Sequence, residues 1–267
     1  MSKTNEEKLI YLFIQYYSIM TIKLPKTTYF VSAPELREYT FGKETIDILV
    51  TPQVFPLSPH GTQFFQNVVI NPRECVIDVG TGTGVFAIAA AKRGAIVDAT
   101  DISEAAVLLT RENAARNTVS IDCRTGSYFA NFERKYDVII ANLPQEIVPP
   151  SYRVVIGADL TATMDGGNKG NEILLRFLAC APQYMHEHSR LYVVAYSVAD
   201  CLGTMKYMTL HYNARLLAVE TAPPKEFVED NLDFFRELNR KGQVHIFEED
   251  DTLMATVYTF ELRLKRF

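Results

Sequence analysis

Three glycines at alternate positions, Gly80, Gly82 and Gly84, separate a short apolar run at residues 76–79 from an alanine-rich segment. Glycine at such positions permits a left-handed backbone and lets a ligand approach the main chain closely. A turn of this kind can hold a dinucleotide, a phosphate or another adenosine-bearing ligand. The residues around the turn therefore have to distinguish between these ligands.

Two features bear on that choice. Gly82, Gly84 and Ala87 satisfy the G-x-G-x-x-G/A spacing of dinucleotide-binding turns, so an NAD(P)-dependent oxidoreductase is one hypothesis. Asp78, however, stands before the first glycine, where a negative charge does not favour a pyrophosphate. A ligand with a cationic centre suits this position better, and S-adenosylmethionine carries both a sulfonium and an ammonium group.

A second segment with chemical potential is Asn142-Leu143-Pro144-Gln145, which follows an apolar run at residues 136–141. The Asn side-chain carbonyl and the next backbone carbonyl can accept the two N–H bonds of an amide or aryl amine. Such a nitrogen is a poor nucleophile because its lone pair is delocalised. Orienting it and stabilising its developing charge is therefore a plausible route to catalysis without a strong general base.

The D-x-G-x-G-x-G turn and the Asn-Leu-Pro-Gln element together resemble the class I (Rossmann-like) S-adenosylmethionine-dependent methyltransferases. The closest group is that of the release-factor glutamine and small-domain N-methyltransferases, with N-L-P-Q in place of N-P-P-Y. The similarity extends to residues 41–65 and 165–178. It implies S-adenosyl-L-methionine as the cofactor and an N-methyltransferase as the activity.

The resemblance also implies roles for individual residues. Asp101 would bind the ribose hydroxyls, and Ile102 would form one wall of the adenine slot. The implied cofactor-binding set is Asp78, Gly80, Thr81, Gly82, Gly84, Asp101, Ile102, Ser127, Tyr128 and Asn142. The implied catalytic set is Asn142, Leu143, Pro144 and Gln145.

Two departures from the family pattern bear on the substrate. Leu143 replaces the first proline, and Gln145 replaces the aromatic residue that would stack on a planar substrate. Without that ring a flipped base loses a contact worth ~1–3 kcal/mol. The net charge of −5 also lacks the basic field that supports nucleic-acid binding. An amide, amidine or amine nitrogen on a small metabolite or peptide side chain is favoured, with an RNA or DNA base as the alternative.

Substrate contacts are predicted at His60, Thr62, Gln145 and Phe227. His60 suits this role because an imidazole can exchange a proton near neutral pH. Phe227 lies in a charged segment at about residues 223–251, predicted to be helical around residues 227–238. We expect this insertion to cover the substrate, because a connection of that length between strands is more often functional than idle. No metal site is expected, since His186 and His188 lack further ligands nearby.

The elements that must position these residues follow a strand–helix alternation from residue 75 onward. This pattern predicts an α/β fold with a doubly wound, mostly parallel, seven-stranded sheet and an insertion before the last strand. Residues 1–70 are predicted to form an extension with a helical lead-in over residues 1 to about 34, which includes the apolar run at residues 9–22, and a hairpin around Gly42. Residues 71–267 would form the methyltransferase domain.

Bulk features suggest the setting. The four cysteines form no C-x-x-C pair, which favours a reducing cytoplasm. The apolar run at residues 9–22 is too short to span a bilayer, and the mixed charges before it are wrong for a signal peptide. We expect its helix to pack on the main domain or on a second subunit, so a homodimer is possible.

Overall fold

The computed structural model describes residues 21–23, 31–130 and 132–265 of the chain. The strands within these residues are β1 (Thr21–Lys23), β2 (Glu35–Phe41), β3 (Glu44–Val50), β4 (Cys75–Val79), β5 (Ile96–Asp101), β6 (Asp122–Thr125), β7 (Tyr136–Ala141), β8 (Met185–Tyr196), β9 (Tyr212–Ala222), β10 (Ile246–Glu249) and β11 (Thr252–Leu264). The helices are α1 (Pro59–Gln66), α2 (Val85–Lys92), α3 (Glu104–Arg116), α4 (Pro150–Ala162), α5 (Glu172–Cys180), α6 (Cys201–His211), α7 (Glu226–Asp230) and α8 (Leu232–Arg240). A short 3₁₀ helix, Ala181–Tyr184, follows α5.

The main sheet has nine strands within the described ranges, in the order β1-β9-β11-β8-β7-β4-β5-β6, with β10 paired to β11. Strands β4 to β8 pair in parallel, whereas β11 runs antiparallel to both β8 and β9. The predicted fold class, a doubly wound and mostly parallel sheet, is confirmed. The structure adds β1 and β10 to the seven predicted strands.

Strands β4 and β7 are neighbours inside the sheet, and their side chains are therefore buried along almost their whole length. Such continuous apolar runs are typical of parallel strands that have helices on both faces. The strand order reverses between β4 and β7, since β5 lies beyond β4 and β8 lies beyond β7. In sheets of this kind the ligand binds at the carboxyl ends of the strands beside this point.

Two local features of the structure differ from what the sequence predicts. Thr21 and Ile22 lie in β1, which pairs in parallel with Val219–Thr221 of β9, although the run at residues 9–22 had been predicted to be helical. Pairing with an open sheet edge outweighs the weak helix propensity of these β-branched residues. The rest of that run lies outside the described residues. Helix α4 had not been predicted, and its Pro150 occupies the first helical position, where proline is well tolerated.

The predicted hairpin around Gly42 is formed by β2 and β3, and it packs on α2 and α3. Asn113, which is fully buried on α3, connects the hairpin to the core of the domain. Its side chain accepts a hydrogen bond from the Leu49 N–H at 2.8 Å and donates to the Leu49 and Thr83 carbonyls at 2.9 Å. Thr83 belongs to the glycine turn, so one asparagine holds both the hairpin and the turn.

The insertion after β9 contains α7, α8 and β10, which agrees with the predicted helical segment. Its buried apolar side chains form a cluster with Ile147, Val148 and Met164, which flank α4. The insertion therefore supports the segment that follows β7. None of the helices in the described ranges is long and apolar enough to cross a bilayer.

Candidate active site

The carboxyl ends of β4, β5 and β7 meet at one edge of the sheet. Val79 pairs with Thr100 on one side and with Ala141 on the other. A cavity of about 1520 Å³ opens at this edge. Its wall includes the glycine turn, Asp101, the 126–128 loop and the Asn142–Gln145 segment. Segments that are distant along the chain thus converge on one volume.

The glycine turn has the backbone that its sequence requires. Gly80, Gly82 and Gly84 adopt φ values of 74°, 55° and 85°, a left-handed region that side chains disfavour. The Gly80 and Thr81 N–H groups donate to the Thr100 carbonyl at 2.8 and 2.9 Å. A Cβ on Gly80 would lie 2.9 Å from Cδ2 of Leu143, so the turn and the Asn142–Gln145 segment are in direct contact.

Asp78 supports the turn from within and lies outside the cavity wall formed by the described residues. Its Oδ2 accepts hydrogen bonds from the Thr81 hydroxyl at 2.7 Å and from the Ala87 N–H at 3.2 Å. Burial raises the pKa of Asp78 to about 7, and these hydrogen bonds only partly oppose that effect. In the described structure Asp78 therefore holds the turn, and its contact with a cationic ligand stays a prediction.

Asp101 ends β5 and faces the cavity. Its two carboxylate oxygens accept hydrogen bonds from the Gly82 and Ser103 N–H groups, both at 2.9 Å. Burial raises the pKa of Asp101, and these backbone donors counteract the effect. Each carboxylate oxygen still has acceptor capacity, which suits the two hydroxyls of a ribose. Ile102 beside it is 72% exposed and lines the cavity, so it is available as an adenine contact and is not a core residue.

The 126–128 loop forms the next part of the wall. Ser127 lines the cavity, and Tyr128 has a left-handed backbone, with φ 51°. The Tyr128 carbonyl accepts a hydrogen bond from the buried Thr100 hydroxyl, and its phenol donates to the Ile173 carbonyl at 3.2 Å. These contacts hold the loop next to the end of β5, where an adenine ring bound beside Asp101 would lie.

The Asn142–Gln145 segment leaves β7 and lines the cavity along its whole length. Leu143 is buried against Gly80, so the leucine that replaces the family's proline packs on the glycine turn. Gln145 is also buried, and its amide donates a long hydrogen bond of 3.5 Å to the Leu143 carbonyl. An amide thus takes the place of the family's aromatic ring.

Of the predicted substrate contacts, His60 and Gln145 line the cavity. His60 lies in the first turn of α1, which Ser58 caps by accepting the Gly61 N–H at 3.1 Å. Thr62 and Phe227 lie outside the described cavity wall. Phe227 is buried against Tyr152 and Phe235, because its apolar ring completes the core of the insertion.

The wall residues that sequence reasoning missed include a group of three connected through Lys225: Phe55, Glu146 and Lys225. Lys225 Nζ lies 2.9 Å from both carboxylate oxygens of Glu146 and 4.2 Å from the centroid of the Phe55 ring. Burial raises the pKa of the Glu146 carboxyl, and Lys225 opposes that shift. The available signal was positional, since Glu146 follows the Asn-Leu-Pro-Gln element directly and Lys225 follows the end of β9.

The wall fits S-adenosylmethionine. It offers a turn without side chains for close approach, a carboxylate for the ribose at Asp101 and an exposed apolar side chain for the adenine at Ile102. The volume of the cavity, about 1520 Å³, leaves space beyond the cofactor for part of a substrate.

Comparisons with known proteins agree with this geometry. A family model described as ribosomal protein L11 methyltransferase matches residues 62–150. A Methanocaldococcus jannaschii protein named "Putative protein N5-glutamine methyltransferase" is 33% identical over 190 residues, which are 70% of this chain and 95% of that relative. The Caldicellulosiruptor saccharolyticus ribosomal protein L11 methyltransferase is 46% identical over 80 residues, which are 30% of this chain but only 26% of that enzyme.

Solved structures show the same fold at low sequence identity. The Thermus thermophilus 16S rRNA N2 G1207 methyltransferase, solved with AdoMet and guanosine, has a TM-score of 0.53 and 14% identity over 88% of this chain and 52% of that one. The M. jannaschii tRNA m1G37 methyltransferase has a TM-score of 0.51 and 14% identity over 86% of this chain and 57% of that one.

The fold and the site define a class I S-adenosylmethionine-dependent methyltransferase. Within this class, the chain belongs to the family of the M. jannaschii relative described above. The prediction of a methyltransferase that uses S-adenosylmethionine is confirmed, in place of the oxidoreductase alternative.

Proposed function

We propose that this methyltransferase N-methylates a side-chain amide of a protein or peptide, with glutamine as the acceptor residue. The observation that carries the proposal is the position of Asn142-Leu143-Pro144-Gln145, on the same cavity wall as the glycine turn and Asp101. The name of the M. jannaschii relative supports glutamine as the acceptor. The amide of Gln145 in the aromatic position also favours an amide over a base that needs a stacking partner.

The chemistry follows from the poor nucleophilicity of an amide nitrogen. The side-chain carbonyl of Asn142 and the backbone carbonyl of Leu143 accept its two N–H bonds and hold the nitrogen toward the methyl group. The Leu143 carbonyl already accepts an amide N–H, that of Gln145 at 3.5 Å, and a substrate amide would replace this long contact. S-adenosylmethionine supplies an electrophilic methyl group on a cationic sulfonium. These two carbonyls stabilise the positive charge that develops on the nitrogen.

The acceptor can be identified by offering the purified protein and S-adenosylmethionine four substrates: a glutamine peptide, the matched asparagine peptide, a small primary amide and an adenine-containing oligonucleotide. We expect mass spectrometry to find one added methyl group on the glutamine side chain. Methylation of the oligonucleotide alone would overturn the proposal in favour of a nucleic-acid substrate.

Asn142→Ala tests the catalytic role directly. Loss of the amide carbonyl should lower kcat about 100- to 1000-fold, the range found when one transition-state hydrogen-bonding group is removed. Cofactor affinity measured by calorimetry should fall far less than kcat, because Asn142 is only one of the residues implied to contact the cofactor. Asn213→Ala is the matched control, because Asn213 is exposed and bonds the Leu264 carbonyl far along the sheet. Equal kcat for Asn142→Ala and the control would exclude the proposed role.

A further inference from the structure

The substrate side of the cavity contains a histidine backed by a buried carboxylate. His60 lines the cavity, and its Nδ1 lies 3.5 Å from Oε2 of Glu220. The side chain of Glu220 is fully buried on β9, and its Oε1 has no hydrogen-bond partner in the described part of the chain. Burying a carboxylate that has an unpaired oxygen lowers the free energy of unfolding, because the lost hydration is not fully replaced. The burial of the Glu220 carboxylate therefore indicates that this group has a role at this part of the cavity wall.

The residue after the histidine lies next to the proposed catalytic asparagine. A Cβ on Gly61, the residue after His60, would lie 3.4 Å from Nδ2 of Asn142. The first turn of α1 thus packs against the Asn142 side chain. The His60 ring also lies 5.7 Å from the centroid of the Tyr196 ring, which restricts its orientation.

The carboxylate selects the tautomer of the imidazole. With Nδ1–H donated to Glu220, Nε2 carries the lone pair and is the acceptor available to the cavity that His60 lines. A histidine held in this way by a carboxylate is the arrangement that general bases use. The hydrogen bond is long, and such bonds commonly shorten when the substrate is bound.

We propose that His60 is the proton acceptor of the methyl transfer and that Glu220 is its positioning residue. This proposal rests on the proposed N-methylation, in which a primary amide must lose one proton. The acceptor nitrogen gains the methyl carbon as the carbon–sulfur bond breaks, with the bonding pair staying on sulfur. After the methyl group has transferred, one of the two N–H protons leaves its carbonyl acceptor and passes to Nε2 of His60. Glu220 balances the charge of the imidazolium until the proton leaves to water.

Other ionisable groups near His60 have to be included in any pH experiment. Glu220 lies behind the ring on β9, and Tyr196 lies beside it on β8. The Glu146 carboxylate, which is paired with Lys225, interacts electrostatically with His60 across the cavity. A pH dependence of kcat is therefore attributed to His60 only if it is present in the wild-type enzyme and absent from His60→Asn.

The test compares His60→Asn and Glu220→Gln with the wild-type enzyme. Asparagine can still donate to Glu220 from a position close to Nδ1 but has no basic nitrogen. We expect His60→Asn to lower kcat at least about 100-fold and to remove the acid limb of the kcat–pH profile. Cofactor affinity should stay within about twofold. Glu220→Gln should give a smaller loss of kcat.

A second readout does not depend on turnover. The ¹⁵N chemical shifts of the His60 imidazole should show the Nδ1–H tautomer in the wild-type protein and a loss of this preference in Glu220→Gln. His186→Gln is the matched control. It also removes a histidine–carboxylate pair, His186 Nε2 to Asp137 Oδ1 at 3.0 Å, but lies outside the described cavity wall.

The outcomes separate the two proposals. An unchanged kcat–pH profile in His60→Asn, or an Nε2–H tautomer in the wild-type protein, would overturn the role of His60. Methylation of an acceptor other than an amide would overturn the proposed function alone. The His60→Asn comparison on that acceptor would then still decide whether His60 takes up the proton.

Discussion

Asp78 and Asp101 are carboxylates at the ends of neighbouring strands, but their surroundings assign them different tasks. Asp101 faces the cavity and keeps acceptor capacity on both oxygens, whereas Asp78 is enclosed by the glycine turn and α2. We therefore expect Asp101 to bind the ligand directly. We expect Asp78 to affect ligand binding through the shape of the turn.

At Asp101, the change to alanine should weaken binding of S-adenosylmethionine and S-adenosylhomocysteine roughly 100-fold or more. Two hydrogen bonds from ribose hydroxyls to a charged acceptor are lost, each worth about 1.5–3 kcal/mol. Calorimetric titration measures the effect, and Asp101→Asn should be intermediate. Asp122→Ala is the control, because Asp122 is exposed on the adjacent strand and pairs with Arg124. Unchanged affinity in Asp101→Ala would exclude the ribose contact.

At Asp78, the raised pKa predicts a pH-dependent stability of the cofactor-free protein. Because the pKa of about 7 in the folded protein exceeds the ordinary aspartate pKa of 3.8, the folded state binds more protons between these values. The free energy of unfolding should therefore fall as pH rises through 7, by on the order of 1 kcal/mol between pH 6 and pH 8. Urea unfolding of the wild-type protein and Asp78→Asn across this range measures the difference. Parallel curves for the two proteins would contradict the prediction.

At the scale of elements, α3 organises the binding side of the domain. Its Ser103 cap lies two residues after Asp101, and its Thr110 hydroxyl donates to the Gly82 carbonyl at 3.1 Å. Its Asn113 connects Thr83 of the turn with Leu49 of the hairpin. The hairpin and the cofactor turn are therefore coupled through one helix face.

Asn113→Ala should reveal this coupling. Removing the side chain leaves three buried backbone groups without their partner, and we expect a loss of about 3 kcal/mol in the free energy of unfolding. Cofactor affinity should fall as well, because the Thr83 contact is lost. Chemical denaturation and calorimetry check both effects. Glu112→Ala is the control, since its ion pair with Arg116 is on the surface and contributes little. If Asn113→Ala lowers the free energy of unfolding but leaves cofactor affinity unchanged, the hairpin and the glycine turn are not coupled.

At the scale of the whole molecule, the pair between Lys225 and Glu146 connects the insertion to the segment after β7, with Phe55 from the N-terminal part packed on the lysine. Three regions that are far apart along the chain thus close one side of the cavity. The insertion contributes Lys225 to the cavity wall. Its helices α7 and α8 pack against Tyr152 of α4 and against the apolar residues that flank α4. The insertion therefore shapes this side of the cavity mainly by packing behind the wall residues, and less by lining the cavity itself.

Lys225→Met should lower the free energy of unfolding by about 3 kcal/mol, because it leaves Glu146 buried without its cation. Loss of Lys225 raises the already elevated pKa of Glu146, so the destabilisation should grow as pH rises. Adding Glu146→Gln should restore most of the stability. Lys169→Met serves as the control, because Lys169 is exposed and lies 3.9 Å from Asp200. If the double variant is no more stable than Lys225→Met, the pair is not the cause.

The sequence by itself determined the features that depend on neighbours in the chain. Strand and helix periodicity predicted the doubly wound sheet, alternate glycines predicted the left-handed turn, and an apolar strand running into Asn142-Leu143-Pro144-Gln145 predicted the segment beside it. Each of these signals is local, because backbone conformation and burial pattern are encoded within a few consecutive residues.

Only the tertiary structure decided which distant side chains meet. His60 and Glu220 are 160 positions apart, and Glu146 and Lys225 are 79 apart, so neither pair produces a local pattern. The same holds for Phe227, whose apolar character suits a core as well as a substrate contact, and for Asp78, which the packing of the turn enclosed. Strand order and the packing of the insertion bring these groups together, and both arise from burying the faces of many elements at once.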